Sequence, residues 1–185
     1  MQVKENPQIK GIIEITLEPY SDQRGFLMRT FDKEIFQQAK LPSEWVQENH
    51  SMNVEKNTIR GLHFLQSPWT DGKLIRCTRG QLYDVAVDLR KGSPTLGKWV
   101  AFILTEEEPR WIYLPKGFAH GYCSLTPHAE IHYKHDSYYN KSADSGIRWN
   151  DPEVGIVWPC KKPLVSDKDN QLQSLNEFIT KHGGL

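Results

Sequence analysis

With 185 residues the chain is long enough for one domain with a sizeable core, and 23 basic side chains against 23 acidic ones leave no net charge. That balance excludes a basic field for holding DNA or RNA non-specifically, although local cations remain available to a small anion. No apolar run approaches a membrane span, Met1-Gln2-Val3-Lys4-Glu5-Asn6-Pro7 lacks the apolar core of a signal peptide, and Cys77, Cys123 and Cys160 suit neither a zinc pattern nor a disulfide framework.

These exclusions point to a cytoplasmic protein whose three reduced thiols serve as small core residues. Along the chain, Tyr, Trp, Phe, Val and Ile recur in short runs that turn residues interrupt roughly every eight to twelve positions, the pattern of a β-sandwich or barrel. The first expected strands cover residues 11–17 and 25–30. A short helix over 32–38 follows, with Asp32 as its N-cap. Strands over 45–52, 58–65, 73–78, 81–89, 98–104, 111–114, 121–125 and 129–135 come next. A C-terminal helix over 169–181 then lays Leu172, Leu175 and Phe178 along one stripe, and Gly183-Gly184-Leu185 reads as a frayed tail. Parity divides 81–89 into an apolar face (Tyr83, Val85, Val87, Leu89) and a face of small and acidic residues (Leu82, Asp84, Ala86, Asp88). One face packs, and the other lines something wet.

The segment from Ile59 to Arg76 carries the most chemistry. It puts His63 on one strand and Lys73 and Arg76 on the next, with Arg60 nearby. A lone histidine in an apolar strand is ordinarily a satisfied core residue, and an edge lysine ordinarily blocks sheet pairing. A base beside cations, however, suits removal of a proton next to a carbonyl, with Lys73 stabilising the oxyanion. Asp84 and Asp169 are both candidates for the carboxylate that partners His63. Tyr133 is a general acid if its hydroxyl enters the cavity, and Tyr138 or Tyr139 can stack on a planar ring. Arg24, Arg29 and Arg60 can neutralise phosphate, and neither a P-loop nor a dinucleotide-binding glycine motif is present.

The turn Pro115-Lys116-Gly117-Phe118-Ala119-His120-Gly121 resembles the second short motif of the cupin superfamily. The His-x-His that metal-binding cupins carry does not occur, and His132 and His135 have opposite strand parity, so the site is read as metal-free. The expected fold is all-β, a cupin-like double-stranded β-helix (jelly-roll barrel) spanning residues 1–185 as a single domain, with short peripheral helices including the C-terminal one.

A wider likeness covers residues 10–170. Arg60-Gly61-Leu62-His63-Phe64, Gly72-Lys73-Leu74, the run from Tyr83 to Arg90, the His120 turn, Tyr133-Lys134, Trp149-Asn150-Asp151-Pro152 and Gly155-Ile156-Val157-Trp158-Pro159 occur in that order. Together they resemble the dTDP-4-dehydrorhamnose 3,5-epimerase family. The resemblance implies a homodimer without cofactor that epimerises a nucleotide-diphosphate-linked 4-keto-6-deoxyhexose. It makes His63 the base, Tyr133 the acid on the opposite face, Lys73 the enolate stabiliser and Asp169 the orienting carboxylate. It places Arg24, Gln47, Glu48, Asn49, Arg60, His120, Asp144 and Lys168 at substrate-binding positions, and Tyr139 on the base. In Asp22-Gln23-Arg24-Gly25-Phe26-Leu27-Met28-Arg29, Arg29 replaces a family glutamate that helps bind the nucleotide, which leaves the nucleotide open. The alternatives are inversion at C3 or C5 alone, a different nucleotide sugar, or a cupin that binds without catalysis.

Overall fold

Alternation along strands decides which side chains meet inside this molecule. The computed structural model describes Met1–Leu185. Its strands run β1 (Gln2–Glu5), β2 (Ile13–Thr16), β3 (Tyr20–Asp22) and β4 (Gly25–Leu27), then helix α1 (Lys33–Gln38). Next come β5 (Gln47–Asn53), β6 (Ile59–Leu65), β7 (Lys73–Arg79), β8 (Gln81–Asp88), β9 (Trp99–Thr105), β10 (Arg110–Leu114), β11 (Phe118–Ser124), β12 (Ala129–His135) and β13 (Asp144–Gly146). Two helices close the chain, α2 (Asp167–Asn170) and α3 (Leu175–His182). One sheet has the order β1-β2-β10-β7-β12-β5, a second β13-β6-β11-β8-β9, and β3-β4 is a separate hairpin.

The two large sheets are the walls of the expected jelly-roll barrel. Between them Ile75, Leu82, Ala86, Ile112, Phe118 and Ile131 form the main core. The other face of β8, with Val85 and Val87, and Leu89 just past its end, packs under Phe64, Ile147, Leu175 and Phe178. The outer face of the larger sheet is covered by α1 and its flanks, where Phe36 and Leu41 meet Ile15, Leu74 and Trp111. Burial of each such large side chain contributes roughly 1.5–3 kcal/mol. Asp32 caps α1 as expected, accepting from Glu34 N and Ile35 N. No helix is long and apolar enough to cross a membrane.

The structure corrects four local expectations. The helix over 169–181 is two helices, because Ser174 and Glu177 form a capping box that starts α3 afresh and leaves α2 as one turn. The tail is tied down: Leu185 N donates to Leu89 O at 2.7 Å and Lys91 N to Leu185 O at 3.0 Å. Gly184 permits this, since a Cβ there would stand 2.8 Å from Lys91 Cα. The strand over 25–30 shrinks to the exposed β4, and Cys160, half-exposed, is no core residue, although its Sγ lies 3.6 Å from that of buried Cys123. The exposed β1 and the three-residue β13 carry too little alternation to be read from sequence.

Candidate active site

At one end of the barrel a cavity of about 450 Å³ opens between the sheets. β6 and β11 bring His63 and His120 to it, and the two residues are register partners. Below them the register slips, so that Tyr122 pairs with Arg60. The slip occurs where Gly61 and Gly121 cross: a Cβ on Gly61 would lie 2.6 Å from Gly121 Cα. Glycine is required there on space, and also for the φ of +127° at Gly61.

The open choice of carboxylate is resolved by geometry. His63 Nε2 donates to Asp169 Oδ1 at 2.7 Å, and Gly61 N donates to Asp169 Oδ2 at 3.0 Å. Asp169 sits in α2, whose N-cap Ser166 accepts from Asp169 N. Burial would raise this carboxyl, but the His63 and Gly61 hydrogen bonds and the Lys168 charge hold it below its ordinary value. Asp84 serves the other imidazole: His120 Nε2 donates to Asp84 Oδ1 at 2.7 Å. With Nε2 engaged, His63 keeps Nδ1 as its free basic nitrogen.

The opposite wall comes from β5, β7 and β12. Tyr133 lines the cavity from β12, facing the His63 sheet, and burial pushes its phenol above the ordinary value, with Arg60 partly opposing. A phenol so placed stays protonated and able to donate. Lys73 opens β7 almost fully buried, its Nζ 3.1 Å from Asp71 Oδ1. Arg60 donates from Nε to Asn53 Oδ1 at 2.9 Å. At the rim, Asp144 accepts from Lys168 Nζ and, at 3.1 Å, from the Tyr139 hydroxyl, while Tyr139 N donates to Gln47 Oε1.

Gln47, Asn49, Arg60, His63, Lys73, His120, Tyr133, Tyr139, Asp144 and Lys168 therefore share the cavity, with Asp169 behind His63. Three expected site residues lie elsewhere. Glu48 has the opposite parity from Gln47 and Asn49, so it faces outward and pairs with Lys134. Arg24 pairs with Asp22 at 2.6 Å on the exposed hairpin, and Arg29 with Asp32 at 2.9 Å. His132 faces outward to Glu48 and His135 inward to Asp71, as their parity requires. Asp71 and His135 also line the cavity, though neither stood out in the sequence. Their signals are weak: His135 shares the parity of Tyr133, and Asp71 precedes Lys73 by two residues.

The arrangement offers an imidazole and a phenol on opposite walls, a buried ammonium on the wall of the phenol and the Lys168 cation at the rim. The family model described as dTDP-4-dehydrorhamnose 3,5-epimerase matches residues 6–177. The Shigella flexneri protein of that name is 44% identical over 163 residues, covering 88% of this chain and 90% of its own length. The Bacillus anthracis epimerase structure, with TDP and PPi bound, has a TM-score of 0.90 at 40% identity and covers 94% of this chain and 99% of its own. The Legionella pneumophila dTDP-6-deoxy-D-glucose-3,5-epimerase, in complex with dTDP-4-keto-L-rhamnose, has a TM-score of 0.91 at 36% identity, covering 97% and 95%.

Proposed function

The chain belongs to the dTDP-4-dehydrorhamnose 3,5-epimerase family, and from that premise we propose how its cavity inverts C3 and C5 of a dTDP-linked 4-keto-6-deoxyhexose. The 4-keto group acidifies the protons at both carbons. Nδ1 of His63 removes one of them, and Asp169 stabilises the imidazolium that forms. The electron pair moves to the carbonyl oxygen, where the Lys73 ammonium is already in place, so no reorganisation is needed as charge develops. Tyr133 then returns a proton from the opposite wall, which inverts the centre; His63 releases the abstracted proton to solvent and Tyr133 regains one from it, and the reset site serves the second carbon. General acid and base catalysis each contribute about 10²–10⁴-fold.

The observation that carries this reading is the placement of the Asp169-bound His63 and the half-buried, protonated Tyr133 on opposite sheets of one cavity. Arg60, His120, Gln47, Asn49 and Lys168 bind the diphosphate sugar and Tyr139 stacks on its base, with Asp144 holding Tyr139 and Lys168 at the mouth.

Arg24 and Arg29 lie outside the chain's own cavity. The hairpin that carries Arg24 leaves Tyr20, Phe26 and Leu27 at 74%, 69% and 77% exposure, far more than solvent-facing aromatic and leucine side chains need to be. The reading therefore includes a homodimer in which the second copy covers this hairpin and receives Arg24 and Arg29 at its own cavity. A nucleotide-sugar substrate and three free thiols suit the reducing cytoplasm.

The test is NMR in heavy water with the dTDP-, UDP-, GDP- and CDP-linked 4-keto-6-deoxyhexoses. Deuterium enters at C3 and C5 of the dTDP sugar if the reading holds. No exchange with any of them would leave a binding protein instead, and preference for another nucleotide would trace to Arg29.

A further inference from the structure

Building on the role of Lys73 above, we infer that Asp71 is the positioning residue of this reaction, holding the Lys73 ammonium on one side and, through His135, the amide of Asn49 on the other. The Asp71 side chain is 3% exposed. Its Oδ1 accepts from Lys73 Nζ at 3.1 Å and its Oδ2 from His135 Nδ1 at 2.6 Å. His135 Nε2 in turn lies 3.2 Å from Asn49 Nδ2. One carboxylate thus ties together three side chains that line the cavity from β7, β12 and β5.

The donors present fix the direction of this chain of bonds. Asp71 is the single carboxylate paired with Lys73, and its other oxygen takes the His135 Nδ1–H. The Asn49 amide nitrogen can only donate, so the His135 Nε2 that it meets is the acceptor. The Asn49 oxygen is then left as an acceptor for substrate. Removing Asp71 would strand a buried ammonium and free both the ring and the amide to turn.

The backbone holds Asp71 in place by a crossed contact. As Asp71 reaches to His135, the residue just past the end of that strand, Asp136, reaches back: Gly72 N donates to Asp136 Oδ1 at 2.7 Å and Asp136 N to Gly72 O at 3.2 Å. A Cβ on Gly72 would stand 2.7 Å from Asp136 Oδ2, so any side chain in this position has to push that carboxylate aside. Two consecutive residues on each side, Asp71-Gly72 and His135-Asp136, therefore lock in both directions. An enolate-stabilising donor lowers the barrier only if it is aimed before charge develops, which is the service a clamped carboxylate gives to a flexible lysine.

Asp71→Asn preserves shape and removes one acceptor, so its NH₂ must face either the ammonium or the imidazole N–H. The expected result is a fall in kcat of about 10–10²-fold, part of the ~10²–10³-fold that loss of an oxyanion donor costs, with KM changed by less than roughly threefold. Lys73→Met should lose at least as much, and the double variant should be no worse than Lys73→Met alone, because the two residues act as a unit. In ¹⁵N NMR, His135 of the wild type should carry its proton on Nδ1, and in Asp71→Asn the proton should shift toward Nε2. Wild-type kcat in Asp71→Asn beside an impaired Lys73→Met would overturn the inference while sparing the role of Lys73. Wild-type kcat in Lys73→Met would overturn that role itself. A wild-type His135 protonated on Nε2 would refute the positioning chain without any variant having to fold.

Discussion

The cavity contains two histidine–aspartate pairs with the same 2.7 Å contact and opposite settings. His63 is 37% exposed and leans on a carboxylate from a one-turn helix that also holds the Gly61 N–H. His120 is 9% exposed and its partner Asp84 is wholly buried on the neighbouring strand, with Oδ2 lacking any hydrogen bond. The same bond therefore serves two ends. In the first pair it orients a nitrogen that a substrate can reach. In the second it satisfies a charge that the barrel has already enclosed, and its loss is felt first by the fold.

That contrast can be broken by experiment. His63→Ala should lower deuterium exchange at C3 and C5 by about 10³-fold, mid-range for general-base catalysis, with an unfolding midpoint near wild type; unchanged exchange would remove His63 from the reaction. His120→Ala should weigh on the fold as well as on substrate binding, costing ~3–5 kcal/mol in urea unfolding because Asp84 is left buried and unpaired. Equal stability of the two alanine variants would erase the distinction drawn here. Asp169→Asn leaves the imidazole in place but without a charge to orient it, and turnover should drop about 10²-fold, the low end of what a positioned base contributes.

A third pair, Asp71 with His135, sharpens the comparison through pH. Burial would raise the Asp71 carboxyl, yet the His135 hydrogen bond and the Lys73 charge hold it at about 2, below its ordinary 3.8. A depressed carboxyl stabilises the fold above its unfolded value and loses that contribution as pH falls through the folded one. Urea midpoints should therefore decline by the equivalent of roughly 2 kcal/mol between about pH 4 and pH 2. Asp71→Asn should flatten that part of the curve, and an unaltered slope would deny the coupling.

Much of the site was legible in sequence because its chemistry demands rare residue types in a fixed order. His63, Lys73, His120 and Tyr133 stand in motifs, and two of the three aspartates that hold histidines in the cavity, Asp84 and Asp169, were visible as candidates. Assigning each to its imidazole needed the fold, since Asp169 and His63 are 106 residues apart and meet only because α2 docks under β6. Asp71 and His135, 64 residues apart, were hidden for the same reason. Other features were readable and went unused. Strand parity separates Glu48 from Gln47 and Asn49, and Ser174-Leu175-Asn176-Glu177 spells the capping box that divides the C-terminal helix. The glycine pair at the tail misleads in the other direction: it reads as looseness, but its small size lets the chain end lie against Leu89 and Lys91.

The crossing of Gly61 and Gly121 has a bearing on how such a cavity can be altered. The spacing between the two imidazoles is set by main chain meeting main chain, at a point where neither strand has a side chain to exchange. Changes at Gln47, Ser51 or Tyr139 can reshape the cavity for another sugar or another base and leave the histidines where they stand. Redesign of substrate choice here is a matter of refitting panels within a frame, and the frame is anchored by two residues that contribute no side chain at all.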